Sequence, residues 1–270
     1  QDRARRPIGL IRQYEEKLLR NCAYATTTSY ALSDALTGSY GCAPPGVVHN
    51  AFLFSDRQKV DRKNKDKKDH QGLSLIWFSQ TVGPGRGLEV LVEALNLIEG
   101  DLRVHIRGTP RVGYEAHLRS LLVARWQDRV HFHPQVPQAE LLSRLAEHDI
   151  GFAGELSDCR NKVLTISNKV LEYMRAGLAI VASDTDGHRE LGSQSAGISV
   201  YRQANAEDLS TFIKNLIFDP GSLRDAKAAN LLAAECKFSW EITSEVISNS
   251  VASALSLSSD AISVVESDSV

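Results

Sequence analysis

No apolar run in this 270-residue chain approaches the roughly 18 residues of a membrane-spanning helix, and no signal-peptide pattern opens it. An excess of one charge is also missing. Lys and Arg number 31 against 33 Asp and Glu, a net charge of −2, which excludes the basic footprint of a nucleic-acid binder. The four cysteines (Cys22, Cys42, Cys159 and Cys236) are scattered and form no C-x-x-C. They read as reduced thiols of a cytoplasmic protein, not as a disulfide framework or a zinc site. Several catalytic patterns are absent too: G-x-G-x-x-G, the Lys-Ser/Thr ending of a P-loop, a Ser/His/Asp order and a reactive-Cys context. What remains is a chain 43% hydrophobic and 24% charged, which fits one or two globular domains with a proper core.

The most informative stretch is Ser167–Asp184, which parses as loop, short helix and strand. Ser167 or Asn168 can cap the helix start, leaving its first N–H groups free to face an anion. At helical spacing Leu171 and Met174 share one face, while Asn168, Glu172 and Arg175 share another. Gly177 stops the helix, and Leu178–Ala182 is an apolar run of strand length. Glu172 lies roughly 6 Å along the axis from Asn168. A diphosphate at the helix start therefore brings its ribose near that carboxylate, which accepts hydrogen bonds from hydroxyls. The same pattern also suits ordinary strand–loop–helix architecture.

Along the chain, an amphipathic helix is expected over Asp2–Arg20, a strand near Tyr24–Ser29, a helix over Tyr30–Leu36 and a short strand at Val47–Val48. Arg57–His70 is a charged stretch with interleaved aspartates, read as a solvated linker. From Leu73 strands and helices alternate: strands at Leu73–Phe78, Leu102–Ile106, Val130–His133, Ile150–Ala153, Leu178–Ala182 and Ile198–Tyr201, with helices between them. That order predicts an α/β fold, a doubly wound parallel sheet of Rossmann-like type. Such sheets bind ligands outside the carboxyl ends of their strands. Terminal helices are expected over Leu223–Glu235 and Glu241–Ala254, then a disordered tail, rich in Ser and Asp, over 256–270.

A second constellation is the loop Ser79–Gly87. Its glycines Gly83, Gly85 and Gly87 let the backbone approach a ligand, and Arg86 stands where the next helix begins. Gly108 can pass close to a nucleotide or serve as a plain turn glycine. His131 and His133 look like a metal pair only superficially, lack a third ligand at suitable spacing and read as structural. No metal site is assigned.

Ser-Asn-Lys-x-x-Glu-Tyr-Met-x-Ala-Gly-Leu before an apolar strand resembles the donor-site signature of retaining GT-B glycosyltransferases of family 4, the group 1 transferases. The similarity runs from about Gly46 to Phe218. It implies a nucleoside-diphosphate sugar as donor substrate, with no separate cofactor, and an acceptor that is not identified. On that resemblance Arg86 and Lys169 meet the leaving-group charge and Glu172 orients the ribose. Ser167 and Asn168 form the helix tip, and Gln135 and Val136 lie where family members grip the base. Two positions depart from the family pattern. Gln80 stands where a basic residue is usual, and Leu164 lies eight residues before Glu172, where a second glutamate is usual. Glu155 or Asp158 is a possible substitute for the latter, and Glu190 resembles a family glutamate without an evident role.

The resemblance also divides the chain into four parts: a remnant of the acceptor domain over 1–45, the donor-binding domain over 46–240, a terminal helix over 241–255 and the tail. It implies a fragment that is inactive alone, with peripheral membrane contact possible through the missing domain. Two rivals stay open: a GT-B sugar-nucleotide epimerase, and a non-catalytic Rossmann-like binding module.

Overall fold

The structure, a computed structural model, describes residues 7–61 and 72–267. Helix α1 (Ile8–Asn21), strand β1 (Thr26–Thr27), helix α2 (Tyr30–Tyr40) and strand β2 (Gly46–Val47) come first, and β1 and β2 pair in parallel. A 3-10 turn covers Phe54–Lys59. It takes in the start of the charged stretch expected as a linker, of which residues 62–70 lie outside the described residues.

The main body alternates as the sequence predicts. Its elements are β3 (Leu73–Val82), α3 (Leu88–Asn96), β4 (Leu102–Pro110), α4 (Tyr114–Leu121), β5 (Val130–His133), α5 (Gln138–Leu145), β6 (Ile150–Ala153), α6 (Arg160–Leu164), α7 (Asn168–Ala176), β7 (Ala179–Ser183), α8 (Asp186–Gly192), β8 (Ile198–Tyr201) and α9 (Ala206–Phe218). All six strands are parallel, in the order β5-β4-β3-β6-β7-β8. The strand order reverses between β3 and β6, so the crevice expected of such a sheet opens at their carboxyl ends.

Both faces of the sheet are buried, and the strands show it residue by residue. Leu75 and Trp77 of β3, with Ala179 and Val181 of β7, pack toward α3, α4 and α9. Ile76 and Phe78, with Ile180 and Ala182, face the opposite layer of α5 and α7. Period-two alternation with both sides apolar is the mark of a sheet covered on two faces. Leu171 and Met174 of α7 sink into the second layer, as their shared face predicts.

Helix α10 (Pro220–Cys236) starts with a proline in its first turn, capped by Asp219, and packs on α7. The last helix, α11, spans Trp240–Ser267, through the stretch whose composition predicts a disordered tail. From Trp240 onward the sequence holds no Gly or Pro to stop a helix, and serine costs a helix only a few tenths of a kcal/mol per residue. The chain doubles back here: Trp240 N–H donates to the Phe52 carbonyl at 3.0 Å, and Glu241 accepts from the Phe54 and Ser55 amides.

Candidate functional site: a cleft and a buried charge cluster on either side of helix α7

Helix α7 is the shared wall of the site. Gly177 ends it in the left-handed conformation, and the Leu178 N–H returns to the Tyr173 carbonyl at 3.1 Å. Its start differs from expectation. Ser167 occupies the cap position but its side chain accepts no amide, and Asn168 Oδ1 instead accepts from Asn50 Nδ2 at 3.0 Å. Among the described residues no side chain therefore competes for the first turn's N–H groups.

On one side of α7 lies a cleft of about 900 Å³. Asn168, Glu172 and Arg175, three residues of one helical face, all line it. They meet Gln135 and Val136 from beyond β5, Gln138 of α5, Arg107 of β4 and Phe78–Gln80 at the end of β3. Gln135 donates to the Gln80 carbonyl, so the position lacking the family's basic side chain offers its backbone to the neighbouring loop.

Glu172 is 1% exposed. Arg175 Nη2 donates to its Oε2 at 2.6 Å and Gln138 Nε2 to its Oε1 at 3.2 Å. Burial pushes this carboxyl above its ordinary value, and Arg175 and Gln138 only partly offset that. Arg175 in turn lies 4.8 Å over the Phe52 ring and donates to the Leu53 carbonyl at 3.1 Å. Arg107 donates to the Pro134 carbonyl at 2.9 Å, and burial lowers its ordinarily very high value.

On the other side Lys169, which the resemblance assigns to the leaving-group charge, is already paired within the protein. Its ammonium meets Glu155 Oε1 at 2.6 Å, with both side chains about nine-tenths buried, and it lies 5.7 Å from the Trp77 ring centre. Glu155 follows β6 at the reversal of strand order. Burial alone would raise its carboxyl, but Lys169, His188 and Arg86 together hold it below the ordinary value.

Arg86 is half-buried and makes no hydrogen bond or ion pair to any described residue. It stands with Glu155 and does not line the cleft that holds Glu172. Gly83 and Gly85 sit in its loop, Gly83 against the Arg111 side chain and Gly85 opposite Asp158. Gly87 starts α3 at φ 71°, where an added Cβ would lie 2.2 Å from the Gly154 carbonyl oxygen, so this loop is pressed onto the segment that carries Glu155. Gly108 meets the β3 backbone: an added Cβ would lie 2.3 Å from the Ser79 carbonyl oxygen, at the point where the β3–β4 register shifts. The plain structural reading explains that glycine.

Glu190 accepts the Tyr30 and Ala31 amides and so caps α2, which gives it a structural role. His131 and His133 join His105 and His148 in a cluster of rings with centres 4.6–6.4 Å apart, of which His105 and His133 are stacked. His133 is lowered to about 4 by burial, helped by Arg107 and His131. No group of three or more ligating side chains is placed for a metal ion among the described residues.

The sequence reading put Arg175 on the face of Glu172 but gave it no role, and it missed Gln138, Arg107 and the weight of Glu155. Arg175 was signalled by its i+3 spacing from Glu172. The others come from separate elements, and nothing local marks them.

Three comparisons bear on this geometry. The sequence profile of the glycosyl transferases group 1 family matches residues 73–219, more than half of the chain. The chain belongs to that family. HepE from Anabaena, solved in complex with UDP, superposes with a TM-score of 0.75 at 17% identity, over 92% of this chain and 68% of HepE. Sucrose-phosphate synthase from Thermosynechococcus elongatus gives 0.71 at 14% identity, over 99% of this chain and 64% of its own. The C-terminal domain of the Francisella tularensis group 1 family protein LpcC gives 0.55 at 14% identity, over 67% of this chain and 94% of that domain. These likenesses carry the GT-B fold. The chain spans about two thirds of the length of the first two. No curated protein matches it.

Proposed function

We propose that residues from about Gly46 form the nucleotide-sugar-binding half of a family 4 glycosyltransferase. It moves a sugar from a nucleoside-diphosphate donor to an acceptor hydroxyl with retention of anomeric configuration. The observation that carries this reading is the convergence of Gln135, Val136, Asn168 and Glu172 on one cleft at the carboxyl end of a parallel sheet. The UDP and UDP-glucose bound to HepE support it by analogy.

In this reading the base lies against Gln135 and Val136, and Glu172 accepts from the ribose hydroxyls. The diphosphate meets the uncapped start of α7, Arg86 and Lys169. Charge developing on the departing diphosphate is stabilised by preorganised N–H donors and cations, so no metal or separate cofactor is invoked. The acceptor and the group acting on its hydroxyl belong to a part of the enzyme outside this chain, so the isolated chain does not turn over. The enzyme works in the cytoplasm; no helix among the described residues is long and apolar enough to cross a membrane.

Calorimetric titration of UDP, GDP and ADP tests the reading. One of the three should bind saturably, and Glu172→Ala should weaken it about tenfold, the loss of about 1.4 kcal/mol. Absence of saturable binding by all three would overturn it.

A further inference from the structure

The cluster behind α7 holds more basic groups than one acid needs. Glu155 is paired with Lys169, and Arg86 and His188 act on the same carboxylate. A buried ion pair is at best a weak stabiliser, because both ions lose their hydration. The surplus of basic groups points to an anion that is not part of the protein.

His188 supplies the second observation. It is 1% exposed, and its Nδ1 lies 2.8 Å from the Ser183 carbonyl oxygen. A carbonyl only accepts, so Nδ1 carries the proton and Nε2 presents a lone pair. That Nε2 is buried without a hydrogen-bond partner among the described residues, as is Tyr201 Oη, which also feels Glu155. An unmade hydrogen bond at a buried polar atom is costly, and that cost is retained here at the carboxyl end of β7 beside Glu155.

Resting on the reading that Lys169 and Arg86 meet a donor's phosphates, we propose that Glu155 and His188 are positioning residues. Glu155 holds Lys169 until a diphosphate displaces it, and His188 then receives the released carboxylate together with one proton from solvent. In the free protein Lys169 Nζ donates to Glu155. In the bound state it donates to a phosphate oxygen. The proton goes to His188 Nε2, and the resulting imidazolium donates Nε2–H to Glu155 while Nδ1–H stays on the Ser183 carbonyl. Neither Glu155 nor Lys169 is left as a lone buried charge.

The charged groups facing His188 are Glu155 from the loop after β6, Lys169 from α7 and Asp184 beyond β7. Its helix also packs against α2, α6 and β8. The other charged side chains of α8 are engaged elsewhere, Glu190 with α2 and Arg189 with Asp184 and Asp186. Burial keeps the His188 imidazole below its ordinary value in the free protein, so it starts neutral.

The test is calorimetric titration of the whole chain with pyrophosphate and with UDP, each in two buffers of different ionisation enthalpy near pH 7. Binding should take up about one proton per anion, and affinity should rise as pH falls. Glu155→Gln should bind pyrophosphate about fivefold tighter or more and abolish the uptake. His188→Phe should abolish the uptake and weaken binding. Weaker binding by Glu155→Gln, or binding to the native chain without proton uptake, overturns the proposal. Should Glu155→Gln fail to fold, the proton count of the native chain decides. If pyrophosphate behaves as described but UDP binds no tighter, the nucleoside reading of the cleft falls and this inference stands. If neither probe binds, both fall.

Discussion

Helix α7 takes part in two acid–base pairs of the same length that behave in opposite ways. Glu172–Arg175 and Glu155–Lys169 both close at 2.6 Å, and all four side chains are about nine-tenths buried or more. Yet the Glu172 carboxyl is raised and the Glu155 carboxyl lowered. Glu172 has one guanidinium and one neutral amide, with Asp56 working against it, whereas Glu155 has Lys169, His188 and Arg86. Burial costs both acids; the number of neighbouring basic groups decides the sign. On the proposed reading the first acid accepts a hydrogen bond from a ribose hydroxyl. The second is firmly charged and holds a cation.

The largest expected break in this comparison is Arg175→Met. It strands a buried carboxylate and should cost about 3 kcal/mol of unfolding free energy near pH 7, read from denaturant midpoints. The cost should shrink in acid, where Glu172 takes a proton, and a pH-independent cost would show that Arg175 acts through packing on Phe52 alone.

Next comes ligand affinity. Glu172→Gln should weaken nucleoside-diphosphate binding by roughly tenfold while leaving pyrophosphate binding within about twofold. Equal losses for both ligands would mean that the cleft does not read the nucleoside.

A smaller effect is a pair of opposite pH slopes. The raised Glu172 carboxyl adds stability that is fully present below its unfolded value, near 4.5, and is lost as pH rises through the folded value. The lowered Glu155 carboxyl adds stability that is present above 4.5 and is lost as pH falls through the folded value. Native-minus-variant stability should therefore fall with rising pH for Glu172→Gln above 4.5, and fall with falling pH for Glu155→Gln below it. Slopes of the same sign would void the comparison.

The smallest stability effect is expected from Arg86→Ala. Arg86 has no hydrogen-bond or ion-pair partner among the described residues, so the change should stay within about 0.5 kcal/mol. The same variant should still lose pyrophosphate affinity. A large stability loss would make Arg86 a structural residue.

Much of this site was visible in the order of residues. Spacing on α7 put Asn168, Glu172 and Arg175 on one face, and all three line the cleft. The alternation from Leu73 gave a parallel sheet, and the crevice opens at its carboxyl end. The pairing of Lys169 was not visible. Glu155 lies fourteen residues away across an irregular loop and a short helix, where no periodicity links two positions. Nor could spacing reveal that Gln138 of α5 and Arg107 of β4, with α4 and β5 between them, reach the same carboxylate-lined wall.

By itself the chain determined what short-range rules determine: which segments are helix or strand, which faces are apolar, and where glycine lets the backbone turn or press close. Partnership between charges was settled only by the fold, because strand order and the descent of the Gly83–Gly87 loop onto Gly154 set how many basic groups surround each acid. Electrostatic energy depends on distance and on access to water. Neither is a property of neighbouring letters.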